Sequence, residues 1–241
     1  MRNLLVALIL IFPFVFLLSR TELGAQEPDP RLARIAALES RLVSLENELT
    51  LLEDNKAIRK LQRVYGYYLD QGLHAEAASL FTGDASVEVG GLGVYMGRER
   101  IAEFFKFLMG EGIQPGQLSE HIITQGVVHV DPDGEHANGR WRAILMLGRH
   151  GESATWSEGP YENEYRKENG TWMISKLHWY MTVNAPYAPG WHKAPVPMPE
   201  PLADLPPDAP RSENYRSYPG VYVPPFHYDN PVSGRQYGGA Q

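Results

Sequence analysis

The sequence of 241 residues contains no cysteine. This absence excludes disulfides, thiol nucleophiles and thiolate metal sites. A net charge of −7, with no long run of Lys or Arg, argues against a nucleic acid partner. The eight histidines show neither HxH nor HExxH spacing, so we expect no metal site.

The common cofactor and nucleophile motifs are also missing. There is no GxSxG, P-loop or GxGxxG motif, and the glycine-rich "GGLGVYMG" (90–97) lacks the strand–glycine–helix context of a dinucleotide site. Because no serine stands on a sharp turn of the GxSxG type, a Ser/His/Asp nucleophile has no candidate. The sequence therefore offers no dinucleotide or nucleoside-triphosphate motif and no serine nucleophile.

The N-terminus carries a hydrophobic segment. After Arg2, the fifteen residues Leu4 to Leu18 are apolar and uncharged, which is short for a membrane-spanning helix and typical of a secretory signal. "TELGAQ" offers a cleavage site after Ala25, although Leu23 is large for the −3 position. We expect residues 1–25 to be a signal peptide or an uncleaved membrane anchor, and the domain to be periplasmic or secreted.

A heptad pattern follows in residues 26–53, after a short linker. Its apolar positions alternate spacings of three and four, which predicts a short coiled-coil helix that self-associates or an amphipathic helix that lies on its own domain. The stoichiometry stays open, because three heptads are few. The seam consists of Ile35, Leu38, Leu42, Leu45, Leu49 and Leu52.

Residues 54–185 read as one α+β domain, with helices first and antiparallel strands after them. Asp54 is expected to cap a new helix, which Gly72 ends. Further helices are predicted near 74–81 and 98–109, the latter with a buried stripe that ends at Leu108. Strands are predicted at 84–91, 91–97, 121–131, 136–149, 155–167 and 171–183, with a hairpin turn at Asn169-Gly170.

The last segment, 186–241, holds 13 of the 19 prolines, which excludes a helix or a sheet interior. A disordered tail is one interpretation. Six aromatic residues are atypical of disorder, so we favour an extended arm packed on its own domain or on a neighbour. They are Trp191, Tyr215, Tyr218, Tyr222, Phe226 and Tyr228.

Asp70 and His121 are the first candidates for chemistry. Asp70 lies in the last turn of a helix, where the exposed carbonyl groups disfavour a carboxylate. A carboxylate in that position can act as a general base or orient a histidine, although a surface aspartate in a turn is the simpler interpretation. His121 opens the first long strand, and a satisfied structural histidine is the common alternative there.

The candidate pocket is less well defined by the sequence. Alternation places Arg140 and Arg142 on the strand face opposite Trp141, and it places His178 and Tyr180 on one face. Which face lines a cavity stays open. The many tyrosine and tryptophan residues of the domain suit the binding of a flat apolar ligand. The expected pocket residues are Tyr68, Tyr95, Trp141, Arg142, Trp156, Tyr161 and His178.

Residues 50–183 resemble the SnoaL-like branch of the nuclear transport factor 2-like superfamily. The resemblance rests on "LLEDNKAIRKLQRVYGYYLDQGLHAEAASLF" (51–81), on "HANGRWRAIL" (136–145) and on "YENEYRKENGTWMISKLHWY" (161–180). It implies a cone-shaped α+β barrel in which a curved antiparallel sheet wraps around the helices and leaves a deep pocket. It also implies association as dimers or trimers.

Within that superfamily, the chain is most similar in function-bearing positions to cofactor-free lyases such as scytalone dehydratase, bile-acid dehydratases and diarylpropane lyases. Tyr65, Asp70 and His121 match their Tyr, Asp and His, so the resemblance implies acid–base chemistry on a small hydrophobic, aromatic or polycyclic substrate. A steroid-isomerase-like proton shuttle is an alternative within the enzymes. The alternative outside them is a non-catalytic binding or scaffolding module.

Overall fold

The computed structural model describes residues 29–237. The hydrophobic segment at residues 4–18 and its predicted cleavage site lie outside this range. The chain divides into two compact units, one up to Ser44 and one from Leu45 onward. Within residues 29–237, no helix has the length and the apolar character needed to cross a membrane.

The first helix, α1, runs without interruption over Pro30–Asp70. The six seam residues of the heptad are 45–69 % exposed in the single chain. The predicted helix start at Asp54 is wrong, because Asp54 is buried in mid-helix and accepts hydrogen bonds from Trp172 Nε1 and Lys167 Nζ. The predicted stop at Gly72 is confirmed: its φ is +64°, and its amide bonds to the carbonyl of Leu69.

Up to residue 237, where the described range ends, two short helices and seven strands follow α1, and they confirm the α+β class. The helices lie close to their predicted bounds, whereas β7 was not predicted separately. Their ranges are α2 His74–Ser79, β1 Phe81–Val89, β2 Val94–Met96, α3 Arg98–Met109, β3 Gln117–Val130, β4 His136–Arg149, β5 Ser153–Glu168, β6 Thr171–Trp179 and β7 Val183–Pro186.

The seven strands form one curved, open sheet in the order β2-β1-β6-β5-β4-β3, with β7 paired to β5. The expectation of a wholly antiparallel sheet is wrong at one pair, because β1 and β6 run parallel. The chain returns to β1 only after it has formed β3, β4 and β5, and β6 then enters the sheet beside β1 in the same direction.

The two faces of the sheet have different partners. The side chains of Ala143, Tyr161 and Trp179 face the interior, where they are buried in the same core as Ile58 of α1 and Phe104 of α3. Alternation turns the intervening residues to the other face, as strand geometry requires. At the end of α3, Leu108 is 46 % exposed, so its predicted burial is wrong.

The proline-rich arm after β7 packs on the same unit, as predicted. Tyr215 is buried, and its hydroxyl accepts a hydrogen bond from the amide of Met181 at 2.9 Å. Ser212 donates two hydrogen bonds to the carboxylate of Glu88, and Leu205 accepts one from the Tyr95 hydroxyl. The arm thereby buries polar side chains that an open sheet face would leave in water.

Candidate active site

The structure brings Asp70 and His121 together. Asp70 Oδ1 lies 2.6 Å from the backbone nitrogen of His121 and 3.2 Å from its ring atom Nδ1. Both side chains are largely buried, with 9 % of His121 and 11 % of Asp70 exposed. The amide hydrogen bond gives the Asp70 side chain a main-chain donor at the carbonyl end of the helix. In the tautomer in which Nδ1–H donates a hydrogen bond to Asp70, Nε2 carries no proton and can accept one.

Gly66 allows α1 to approach β3 closely enough for this contact. It lies one helical turn before Asp70 and faces the carbonyl oxygen of His121. A Cβ atom at this position would stand 3.1 Å from that oxygen and 3.1 Å from Cδ1 of Ile123. A larger residue would therefore push the helix and the strand apart.

The main cavity, which His121 partly walls, has a volume of about 500 Å³. Its helical side is apolar and aromatic, which suits a flat hydrophobic ligand. The sheet side carries amide and hydroxyl groups. The apolar lining includes Leu92, Phe104, Phe105, Leu108, Trp179 and Met181, and the polar lining includes Gln117, Ser119, Thr155, Ser157 and Asn184.

Tyr65 and Tyr161 both line this cavity. Their rings meet edge-on, with centroids 6.3 Å apart. Burial raises the pKa of Tyr65 well above its usual value, and the neighbouring Tyr161 raises it further. Burial likewise raises the pKa of Tyr161. Both hydroxyls therefore stay protonated at neutral pH, and because they hydrogen-bond to each other, one of the two protons is left for a bound molecule.

A second pocket, of about 320 Å³, lies between α1 and β3. Asp70 and His121 both line it, and His121 also lines the main cavity, so His121 lies between the two. Tyr67, which is off the buried face as the sequence predicts, is 71 % exposed and forms part of its wall.

Arg142 and Trp156 lie away from the main cavity, contrary to expectation. The inward face of β4 is the one that carries Trp141 and Leu145, so Arg142 points outward and pairs with Glu158 and Gln125. Trp156 sits on the outer face of β5 for the same reason and is 36 % exposed.

His178 also lies outside the cavity, since it faces the C-terminal arm. Its ring stacks on Tyr180 with centroids 3.7 Å apart, and Nε2 is 3.5 Å from a carboxylate oxygen of Glu88. Burial, followed by the charge of Lys176, lowers the pKa of His178 to about 3. The ring is therefore neutral, and desolvation outweighs the attraction of Glu88.

The remaining three expected pocket residues take structural positions. Tyr95 is fully buried and stacks on Phe104 at 4.0 Å. Trp141 faces inward, but it donates to Tyr165 in a buried network beyond the end of the cavity. Tyr68 lines a separate groove beside Trp172. Of the expected pocket residues, Tyr161 alone joins Tyr65 and His121 at the cavity.

The polar wall of the cavity was not predicted from the sequence. Ser119 lies two residues before His121 on the same strand face, and alternation could have identified it. Ser157 and Asn184 depend on the pairing of β4, β5 and β7, for which the sequence carried no signal. Within residues 29–237, no three His, Cys, Asp or Glu side chains are arranged to hold a metal ion.

Comparison with known proteins places this arrangement in a family. A sequence profile described as the SnoaL-like domain matches residues 50–178, which is more than half of the chain. The chain belongs to the SnoaL-like family. This SnoaL-like domain includes α1 from Thr50 onward and every strand through most of β6. No curated protein matches the chain.

Several solved structures share the fold of this SnoaL-like domain. A protein from Novosphingobium aromaticivorans, designated a candidate scytalone dehydratase, is 20 % identical with a TM-score of 0.52, covering 64 % of this chain and 96 % of its own. The type 3 LinA hexachlorocyclohexane dehydrochlorinase from Novosphingobium barchaimii is 23 % identical with a TM-score of 0.52, covering 58 % and 94 %. At this identity, the similarity establishes the fold.

Proposed function

We propose that this protein is a cofactor-independent lyase that eliminates a small leaving group from a hydrophobic, aromatic or polycyclic substrate. The observation that carries the proposal is the contact between Asp70 and His121 at the wall of an aromatic-lined cavity. A buried carboxylate–histidine pair that opens onto a cavity is the arrangement expected of a general base and the group that orients it.

The proposed reaction is an acid–base elimination. His121 Nε2 removes a proton from a substrate carbon, and the C–H electron pair forms the new double bond as the leaving group departs with its own electron pair. Asp70 holds the imidazole through Nδ1 and stabilises the imidazolium that forms. The imidazolium then returns the proton to a leaving hydroxide, giving water, or to solvent through the second pocket.

Tyr65 is proposed to activate the substrate. Its neutral hydroxyl can donate a hydrogen bond to a carbonyl or leaving-group oxygen as negative charge develops there. Tyr161 lines the same cavity beside Tyr65 and orders its ring.

The names of two similar structures are consistent with this chemistry. One is designated a dehydratase and the other a dehydrochlorinase, and these names denote loss of water and of hydrogen chloride. We extend only the reaction class, elimination, to this chain. The substrate class comes from the cavity itself, where aromatic and aliphatic side chains form the helical side.

We also propose that the protein acts outside the cytoplasm, in the periplasm or as a secreted protein, or anchored in the membrane. The support is the apolar segment from Leu4 to Leu18. Fractionation of cells that express the full chain, followed by N-terminal sequencing, would test this. Recovery of uncleaved protein with the cytosol would contradict it.

The acid–base proposal is tested with Asp70→Asn and His121→Gln in the full chain. The assay follows dehydration of aromatic β-hydroxy ketones to enones by ultraviolet absorbance. We expect kcat to fall by about 10²- to 10⁴-fold in each variant, while ligand affinity stays near that of the wild type.

Glu99→Gln is the matched control, because Glu99 is an exposed carboxylate on α3 that lines neither the main cavity nor the second pocket. Its turnover should match that of the wild type. If turnover and ligand affinity both survive in Asp70→Asn, the acid–base proposal is wrong. A wild-type protein that binds such ketones and never turns them over would instead be a binding module.

A further inference from the structure

A single row of side chains crosses the sheet wall of the main cavity and begins at His121. The strand register pairs His121 with Leu145, Leu145 with Ser157, and Ser157 with Asn184. Directly opposed residues point to the same face of a sheet. All four side chains accordingly line the cavity.

The spacing of this row is fixed by the backbone. Neighbouring strands lie about 4.8 Å apart, so Ser157 is about 10 Å from His121, two strand spacings away. Leu145 fills the position between them with an apolar side chain. A ligand lying along the row would therefore meet a proton-transfer group, an apolar stretch and then a polar pair.

The polar pair at the far end retains hydrogen-bonding capacity. The Ser157 hydroxyl donates to Asn184 Oδ1 at 2.8 Å. This leaves lone pairs on the serine oxygen and the donors of the Asn184 amide for a ligand. Because the pair can both donate and accept, it suits a hydroxyl or a carbonyl group.

The neighbouring row provides a contrast. Thr155 lies two residues before Ser157 on the same strand and also lines the cavity. Its hydroxyl donates to the backbone carbonyl of Leu147 at 3.3 Å. Thr155 is thus satisfied by its own sheet, whereas Ser157 and Asn184 bond to each other through side chains alone. Buried polar groups in a largely apolar cavity are the ones that fix a ligand's orientation.

We propose that Ser157 and Asn184 form a specificity subsite for a hydroxyl or carbonyl group about 10 Å from the atom on which His121 acts. The substrate class is then an elongated aromatic molecule with a polar group at each end. The part of the proposal that makes His121 the reacting end rests on the proposed function.

The test compares two probes that differ by one hydroxyl group. In 4,4′-biphenol, the two oxygens are about 10 Å apart, which matches two strand spacings. In 4-phenylphenol, one of these oxygens is missing. We expect isothermal titration calorimetry to show 4,4′-biphenol binding about five- to tenfold more tightly, the gain of one added hydrogen bond.

The variants locate that gain. Ser157→Ala and Asn184→Leu should abolish the difference in affinity between 4,4′-biphenol and 4-phenylphenol, whichever end of the row the single hydroxyl of 4-phenylphenol occupies. Thr155→Val is the matched control and should keep the difference between the probes. Circular dichroism melting verifies that each variant is folded.

Equal affinity of the wild type for both probes would overturn the proposal, as would a preference that survives both variants. These outcomes differ from failure of the proposed function, because binding is measured without turnover. If the probe preference appears and Asp70→Asn retains full activity, the subsite stands and the acid–base assignment falls.

Discussion

One carboxylate oxygen of Asp70 accepts hydrogen bonds from both the main chain and the ring of His121. The Oδ1 atom is 2.6 Å from the backbone nitrogen and 3.2 Å from Nδ1. The same contact thus fixes the strand and the ring. A substitution at Asp70 will affect stability as well as chemistry, and the two effects can be separated by the choice of replacement.

We expect Asp70→Ala to lower the free energy of unfolding by about 1–3 kcal/mol, because it leaves the His121 amide without its acceptor. Asp70→Asn keeps an oxygen acceptor and should cost less than about 1 kcal/mol. Urea denaturation followed by circular dichroism measures both values. Equal losses in the two variants would contradict the role of the amide hydrogen bond.

Gly66→Ala should impair turnover with little loss of stability. The added methyl group meets the His121 carbonyl, but alanine gains about 1 kcal/mol of helix propensity over glycine. A shift of a few tenths of an ångström between helix and strand is expected to lower kcat by about tenfold.

Gly83→Ala is the control for this prediction, since a Cβ at Gly83 meets no atom within 4 Å. Steady-state kinetics on both variants give the comparison. Unchanged kcat in Gly66→Ala would show that the helix and strand need not approach this closely.

Because His178 is buried and neutral, we expect the folded chain to lose stability in acid. Its folded pKa of about 3 lies below the ordinary value of 6.5, so the unfolded chain binds a proton that the folded chain excludes. Stability contributed by the neutral ring is therefore present above pH 6.5 and is lost as the pH falls toward 3. From pH 7.5 to 5.5, the loss is about 1.4 kcal/mol.

His178→Phe keeps a ring against Tyr180 and removes the titration. Chemical denaturation at the two pH values should show the wild type losing more stability than the variant by that amount. Glu88, the carboxylate beside the ring, is present in both proteins. A wild type that gains stability on acidification would mean that the charged pair with Glu88 outweighs desolvation.

Asp54 of α1 should contribute strongly to the stability of the folded chain. It accepts hydrogen bonds from Trp172 and Lys167, whose side chains are both largely buried. Asp54→Ala leaves the lysine charge and the indole N–H unpaired, with an expected cost of about 3 kcal/mol. Thermal unfolding followed by circular dichroism measures this loss of stability. In the same experiment Glu53→Ala, at the exposed neighbouring position, should lower the free energy of unfolding by less than about 0.5 kcal/mol.

The heptad of α1 predicts self-association of the full chain. Its apolar seam is exposed in the single chain. In a parallel pair, Arg34 and Arg41 at one flank of the seam would face Glu39 and Glu46 of a second copy, and only Glu48 would face a like charge, Glu53. An antiparallel pair would oppose all the glutamates of the other flank, Glu39, Glu46 and Glu53. We therefore expect a parallel dimer.

Sedimentation analysis of Leu42→Lys/Leu49→Lys tests this expectation, because two buried charges in the seam should convert the dimer to a monomer. Val43→Lys adds a charge next to the seam at a residue that is 56 % exposed, and it should leave the dimer intact. A dimer that persists in the double variant would place self-association elsewhere.

The helices and strands of this structure could largely be predicted from local sequence patterns. Periodicity and glycine positions gave the helices and most strands close to their observed bounds, because these signals depend on neighbouring residues. Asp54 shows the limit of such signals. An aspartate before an apolar helix face has the pattern of a cap, and only the distant Trp172 and Lys167 give it a buried role.

The same limit applies to the candidate site. The resemblance brought Tyr65, Asp70 and His121 forward, and the structure brings Asp70 into contact with His121. Alternation separated the faces of β4 and β6 correctly, but it could not tell which face is inside. Arg142 and His178 were therefore assigned to the wrong side. His178 was especially hard to place, because the C-terminal arm buries the outer face as well.

The cavity extends beyond the stretch of chain that defines the family. The SnoaL-like match ends at residue 178, yet Trp179, Met181 and Asn184 line the main cavity. The hydroxyl of Tyr215, deep in the arm, supports the Met181 main chain. The family portion thus holds the proposed acid–base pair, and the C-terminal extension forms part of the cavity wall. A chimera that received residues 179–241 from a relative would inherit that relative's shape selectivity while keeping its own acid–base pair.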